Sequence, residues 1–128
     1  VTDAKRELLA ELVASGLHQR EARWLLDEFF IGDDTETIVD VRAAAQRRLS
    51  GEPLQYIIGH WPFRSLDLDV DERVLIPRPE TEELVEVALR ELAQRNLSAP
   101  VILDLGCGSG AIGLSLLQEL QQRGVAAT

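Results

Sequence analysis

The spacing of apolar residues changes character along the chain. In the first part it is helical. Leu8, Leu9, Leu12 and Val13 fall on one face, with Thr2 placed to cap the start and Gly16 to end it. Ala22, Leu25, Leu26, Phe29 and Phe30 mark a second stripe, closed by Gly32. A third runs from about Thr35 through Ile38, Val41, Ala44 and Ala45 to Leu49, and Ser50-Gly51-Glu52-Pro53 stops it. Three short amphipathic helices with short connections predict a small helical bundle. The helical spacing of Trp24, Phe29 and Phe30 favours core packing over a partner-docking patch. Leu54 to Ile58 is too short to assign.

The period then shortens. Leu66, Leu68 and Val70 alternate with Asp67, Asp69 and Asp71, the pattern of a half-exposed strand with a wet acidic face. Val74-Leu75-Ile76 reads as a second strand and Asp71-Glu72 as the turn between them, so residues 63–76 predict a β-hairpin. Pro77-Arg78-Pro79 is stiff and lacks two backbone donors. Leu84, Val85, Ala88, Leu89 and Leu92 form a helical stripe, and residues 96–100 form a loop. Val101 to Leu105 reads as a short buried strand. A helix follows through Ile112, Leu116, Leu117 and Leu120, and Val125 to Thr128 opens another strand. The predicted class is α plus α/β. Residues 1–60 make a helical domain, residues 61–78 a hairpin connector, and residues 79–128 the start of an α/β domain. One or two strands do not bury both faces of such a sheet. The second domain is therefore expected to be incomplete and the chain part of a longer protein. The chain begins with Val1 rather than Met, which is compatible with trimming at its start.

Composition narrows the function classes. With 45% apolar residues the chain can build a core. Its net charge is −9, and neither half is basic, so the electrostatic footprint of a nucleic-acid-binding protein is missing, although a local basic patch is compatible. A single cysteine, Cys107, gives no disulfide framework and suits a reducing compartment. No apolar run approaches the roughly 20 residues of a membrane span, and no signal-peptide pattern opens the chain. A cytoplasmic protein is the default, and a monomer. His18 and His60 have no cysteine or carboxylate at ligand spacing, so no metal site is expected.

Chemistry concentrates in Asp104-Leu105-Gly106-Cys107-Gly108-Ser109-Gly110. A strand, a glycine turn and a helix start in that order make a nucleotide-type ligand site. The glycines let backbone approach a ligand, and the helix start offers unpaired N–H groups. A Walker phosphate loop needs Lys and Ser or Thr after its last glycine, and Ala111-Ile112 stands there instead. A dinucleotide loop remains possible through Gly106, Gly108 and Ala111, or through Gly108, Gly110 and Gly113. The third reading is the acid-x-Gly-x-Gly-x-Gly loop of S-adenosylmethionine-dependent methyltransferases, which Asp104, Gly106, Gly108 and Gly110 match. An anionic Asp104 would repel a pyrophosphate and favour a cofactor carrying a sulfonium and an ammonium. The plainer role for Asp104 is to bond backbone N–H groups of the turn. The two roles are compatible. Cys107 fills a slot between two glycines with no base nearby and reads as a small spacer.

The segment Ile76-Pro77-Arg78-Pro79-Glu80-Thr81-Glu82, about two dozen residues before this loop, resembles the HemK/PrmC family. That family methylates the glutamine side-chain amide of bacterial peptide chain release factors. Gly51-Glu52-Pro53-Leu54-Gln55-Tyr56-Ile57-Ile58-Gly59 is also similar to the family, and the resemblance spans roughly residues 50–118. It implies a helical N-terminal domain that helps grip the release factor and a Rossmann-like catalytic domain that binds S-adenosylmethionine. The implied substrate is the glutamine of the Gly-Gly-Gln loop, with no direct nucleic-acid or membrane partner. By position, Gly106, Cys107, Gly108, Ser109 and Gly110 would cradle the methionine part of the cofactor beside Asp104. Thr81 would hold the cofactor carboxylate at a helix N-terminus, or else act as a plain helix cap. Arg78 would pair with a carboxylate of the ligand or with a surface glutamate. A related family that methylates a ribosomal-protein glutamine ranks second, and a dehydrogenase third. A non-catalytic release-factor-binding module is the alternative from another class. The family's Asn-Pro-Pro-Tyr motif, which binds the amide N–H groups, does not occur in residues 1–128. No catalytic residue is therefore assigned in this chain, which as given is expected to lack methyl transfer and to bind cofactor weakly or not at all.

Overall fold

The three helical stripes become α1 (Asp3–Ala14), α2 (Gln19–Phe29) and α3 (Thr35–Leu49). The computed structural model describes residues 2–32 and 34–128, in two compact units, residues 1–58 and 59–128. Each of these three helices starts on a side-chain acceptor that satisfies an orphan backbone donor. Thr2 Oγ1 accepts from the Lys5 N–H at 3.3 Å, His18 Nδ1 from the Arg20 N–H at 3.2 Å, and Asp34 Oδ1 from the Thr37 N–H at 2.8 Å. Gly16 (φ +106°) and Gly51 (φ +100°) take the left-handed turns just past α1 and α3. Residues 54–58 form a one-turn helix, α4 (Leu54–Ile58), which buries Leu54 and Ile57.

The core of this unit gathers Leu8 and Leu12, Leu25 and Leu26, Val41 and Ile57, with Trp24, Phe29 and Phe30 packed half-buried against it. Val13, expected on the buried stripe, is exposed instead. Phe30 follows the last turn of α2 rather than extending it. Arg42 grips Glu11 through two parallel bonds of 2.8 Å and so joins α3 to α1.

In the second unit the hairpin is real, but its partner strand differs from the expected one. β1 (His60–Phe63) pairs antiparallel with β2 (Leu66–Asp69), with Phe63 opposite Leu66 across the turn Arg64-Ser65. Pro62 hides β1 from a sequence reading because proline is disfavoured in strands. The register removes the objection. The Val70 N–H bonds the Gly59 carbonyl at 2.9 Å, so by alternation the pair Pro62–Asp67 is a non-hydrogen-bonded one. The missing N–H of Pro62 therefore breaks no ladder bond. Val74 to Ile76 is not a strand. Asp71 Oδ1 accepts from the Arg73 N–H at 3.0 Å, and the Asp71 carbonyl accepts from the Val74 N–H at 3.1 Å. That turn diverts the chain from the hairpin.

α5 (Glu80–Arg95) and α6 (Ala111–Gln122) pack with the hairpin around Phe63, Leu68, Val85, Leu89, Leu116 and Leu120. Asn96, at φ +51°, ends α5. Val101 to Leu105, expected as a buried strand, is neither a strand nor buried. Val101, Leu103 and Leu105 are 85%, 79% and 83% exposed, while Ile102 and Asp104 are half-buried. The two-residue alternation survives, but the pairing is slight. The Ile102 N–H bonds the Thr128 carbonyl at 2.8 Å, and the Thr128 N–H bonds the Pro100 carbonyl at 3.1 Å. Those two bonds are the pattern of a single parallel bridge across α6, short of a ladder. Among the described residues the chain is thus helical with one two-stranded sheet.

Candidate functional site

The glycine loop is built by alternate residues in the left-handed region: Gly106 at φ +72°, Gly108 at +56° and Gly110 at +80°. A Cβ at Gly106 or Gly108 would meet nothing within 4 Å. Conformation, not crowding, demands glycine there, and the backbone faces open space. The Gly110 N–H bonds the Cys107 carbonyl at 2.8 Å, and Gly110 then begins α6 without a side-chain cap of its own.

Asp104 supplies that cap from across the loop. Its Oδ2 accepts from the Gly113 N–H at 3.0 Å, satisfying one orphan donor of the first turn of α6. Gly113 serves this contact in turn, because a Cβ there would stand 3.1 Å from the same oxygen. A half-buried carboxylate is thereby fixed directly behind an open glycine backbone at a helix N-terminus. In the sequence Gly113 reads only as part of a dinucleotide pattern. Its signal was present nonetheless, since a glycine inside a helix costs about 1 kcal/mol relative to alanine and usually has a packing reason.

The structure brings together Asp104, Gly106, Cys107, Gly108, Ser109 and Gly110 on one loop, and it sets Thr81 on a different element. Thr81 lies in the first turn of α5, where Pro79 is the cap position and no side-chain cap bond forms. It stands among Glu80, Glu82 and Glu83, which already complement that helix end. Arg64, left-handed at φ +52° in the hairpin turn, ties this turn to α6. Its N–H donates to Glu82 Oε1 at 2.9 Å and its Nη1 to the Glu82 carbonyl at 3.2 Å. Its Nη2 reaches Glu86 at 3.1 Å and Glu119 at 2.8 Å, and its Nε also bonds Glu119. Glu119 lies nine residues past Gly110, about 13 Å along the helix axis. The hydrogen bonds from Arg64 outweigh desolvation and hold the Glu119 carboxyl below its usual range. Nothing local in the sequence points to Arg64, whose partners lie 18, 22 and 55 residues away.

The remaining candidates have ordinary settings. Cys107 is a free, exposed thiol. Arg78 is exposed. His18 caps α2, and His60 Nδ1 lies 2.8 Å from Asp67 Oδ1. Among the described residues no group of three or more His, Cys, Asp or Glu side chains could hold a metal ion. Among the same residues no helix is long and apolar enough to cross a membrane.

No family model matches the chain. Individual curated proteins do. The chain is 48% identical over 119 residues to a release factor glutamine methyltransferase of Bifidobacterium longum, covering 92% of this chain and 39% of that protein. It is 44% identical over 121 residues to one of Lactococcus lactis, covering 92% and 43%. It is 52% identical over 92 residues to a human one, covering 68% and 27%. The chain thus spans between about a quarter and two fifths of the length of these relatives.

Proposed function

We propose that this chain, a homologue of the release factor glutamine methyltransferases of the HemK/PrmC family, carries the first wall of an S-adenosylmethionine site in a Rossmann-like domain. The parent activity is methylation of the glutamine side-chain amide in the Gly-Gly-Gln loop of a bacterial peptide chain release factor. The observation that supports this most is Asp104, fixed behind three left-handed glycines at the start of α6.

The residues present fit such a cofactor. Gly106 and Gly108 leave room where side chains would stand, so Gly106 to Gly110 can approach it closely. Asp104 spends one carboxylate oxygen on Gly113 and keeps its negative charge beside the loop. That charge attracts an ammonium or sulfonium and repels a pyrophosphate, which disfavours the dinucleotide reading. When bound, S-adenosylmethionine supplies an electrophilic methyl group. An amide nitrogen is a poor nucleophile, so the protein's task is positioning and acceptance of the amide N–H bonds rather than nucleophilic activation. Among residues 1–128 the proposal assigns cofactor holding to Asp104, Gly106, Cys107, Gly108, Ser109 and Gly110, and assigns no catalytic group. Thr81, in the first turn of α5, would add a hydrogen bond to the cofactor carboxylate at that helix N-terminus. Residues 1–60 would serve as the release-factor-docking domain, in a cytoplasmic setting that suits the free thiol of Cys107.

The test is methyl transfer from tritiated S-adenosylmethionine to release factor by the protein carrying residues 1–128. Label should enter wild-type release factor and not one whose Gly-Gly-Gln glutamine is replaced by alanine. Equal labelling of both would overturn the assignment.

A further inference from the structure

Positive charge gathers at one groove of a chain whose net charge is −9. Lys5, Arg6 and Leu9 of α1 and Arg23, Leu26 and Asp27 of α2 line a cavity of about 310 Å³. Leu26 is buried and Leu9 half-buried, so the floor is apolar. Three cations stand around it against one carboxylate. The other cations of this unit are occupied. Arg42, Arg47 and Arg48 are held by Glu11, Glu52 and Glu21, and Arg20 stacks 4.5 Å from the Trp24 ring.

Within the groove, Lys5 Nζ bonds Asp27 at 2.9 Å and lies 5.8 Å from the Phe30 ring. Arg6 meets only Asp3, at 3.4 Å, with both side chains largely in water, where such a pair contributes little. Arg23 is exposed and makes no ion pair among the described residues. A weakly held cation on α1, Arg6, and one without an ion pair on α2, Arg23, therefore stand beside an apolar floor. Like charges so placed repel one another, and an anionic partner with an apolar side chain would relieve them.

We propose that this groove docks an acidic protein segment, with an apolar side chain against Leu9 and Leu26 and flanking carboxylates on Arg6 and Arg23. The assignment of that segment to the protein substrate rests on the docking role proposed above for the helical domain. A nucleic-acid strand fits less well. It needs a run of cations along its phosphates rather than two beside an apolar floor, and the chain's net charge repels it.

The test uses fluorescence anisotropy of a labelled acetyl-Glu-Leu-Glu-Glu-Leu-Glu-amide peptide with the full chain. The expected result is binding that weakens about tenfold in the double variant Arg6→Glu, Arg23→Glu and about tenfold when glutamines replace the peptide's glutamates. Both substituted side chains are exposed, so the variant should melt within about 2 °C of wild type. No binding of the acidic peptide, equal binding of the glutamine peptide, an unaffected double variant, or tighter binding of oligouridylate would each overturn the proposal. Capture of release factor separates the two readings. Equal capture by wild type and variant sinks the groove and spares the docking domain. Peptide binding without capture sinks the docking domain and spares the groove.

Discussion

Ser115 is fully buried in α6 and its hydroxyl has no hydrogen-bond partner among the described residues. A buried polar group left unpaired costs about 1–3 kcal/mol, so Ser115→Ala should stabilise the C-terminal unit by about 1 kcal/mol in urea unfolding. A loss of stability there would mean the hydroxyl is used. Asp71 makes the opposite point. Its bonds to the Arg73 guanidinium and the Arg73 N–H hold its pKa at about 2. The folded value lies below the ordinary one, so the contribution of this turn is present above the ordinary carboxylate range and is lost as pH falls through about 2. A carboxyl NMR titration should place the Asp71 midpoint near 2, and a midpoint near 4 would remove the interaction. Residues with local causes were legible in the sequence, as with Thr2 capping α1. The cap of α6 was only half legible, because Asp104 and Gly113 are nine positions apart.

At the scale of elements, α1, α2 and α3 were readable because their stripes and stops lie within a few residues, whereas α4 was too short to show a period. The hairpin was misread because strand pairing is non-local and Pro62 argued against the true partner. The Arg64 clamp was not readable at all. It joins the hairpin turn to α5 and α6, and the side chains of Arg64 and Glu119 are only 17% and 14% exposed. Hydrogen bonds to charged groups contribute about 1.5–3 kcal/mol. Arg64→Ala should therefore lower the stability of the C-terminal unit by about 2 kcal/mol, while Arg64→Ala on a Glu119→Gln background should cost clearly less. Additive losses in that double-mutant cycle would show that the two side chains act separately.

Across the whole molecule, the two units differ in how far the sequence accounts for them. The helical unit closes its own core. In the second unit Val101 to Leu105 alternates as a strand does, yet turns three apolar side chains to water. An α/β sheet is defined by neighbours on both sides and both faces, which is why a strand pattern alone did not settle the local structure. Hydrogen exchange should report this directly. The Ile102 amide, bonded to Thr128, should exchange more slowly than those of Leu103 and Leu105, and all three faster than the amides of mid-α5. Uniform protection across residues 101–105 would contradict it.

The central claim is that the charge of Asp104, beyond its capping bond, selects the ligand. Asp104→Asn keeps an oxygen to accept from the Gly113 N–H and removes the charge. Calorimetric titration of the protein carrying residues 1–128 should show S-adenosylmethionine bound in preference to NAD. In Asp104→Asn the affinity should fall by about tenfold while the melting temperature holds within about 2 °C. Unchanged affinity in the variant, or tighter binding of NAD by the wild type, would contradict the account.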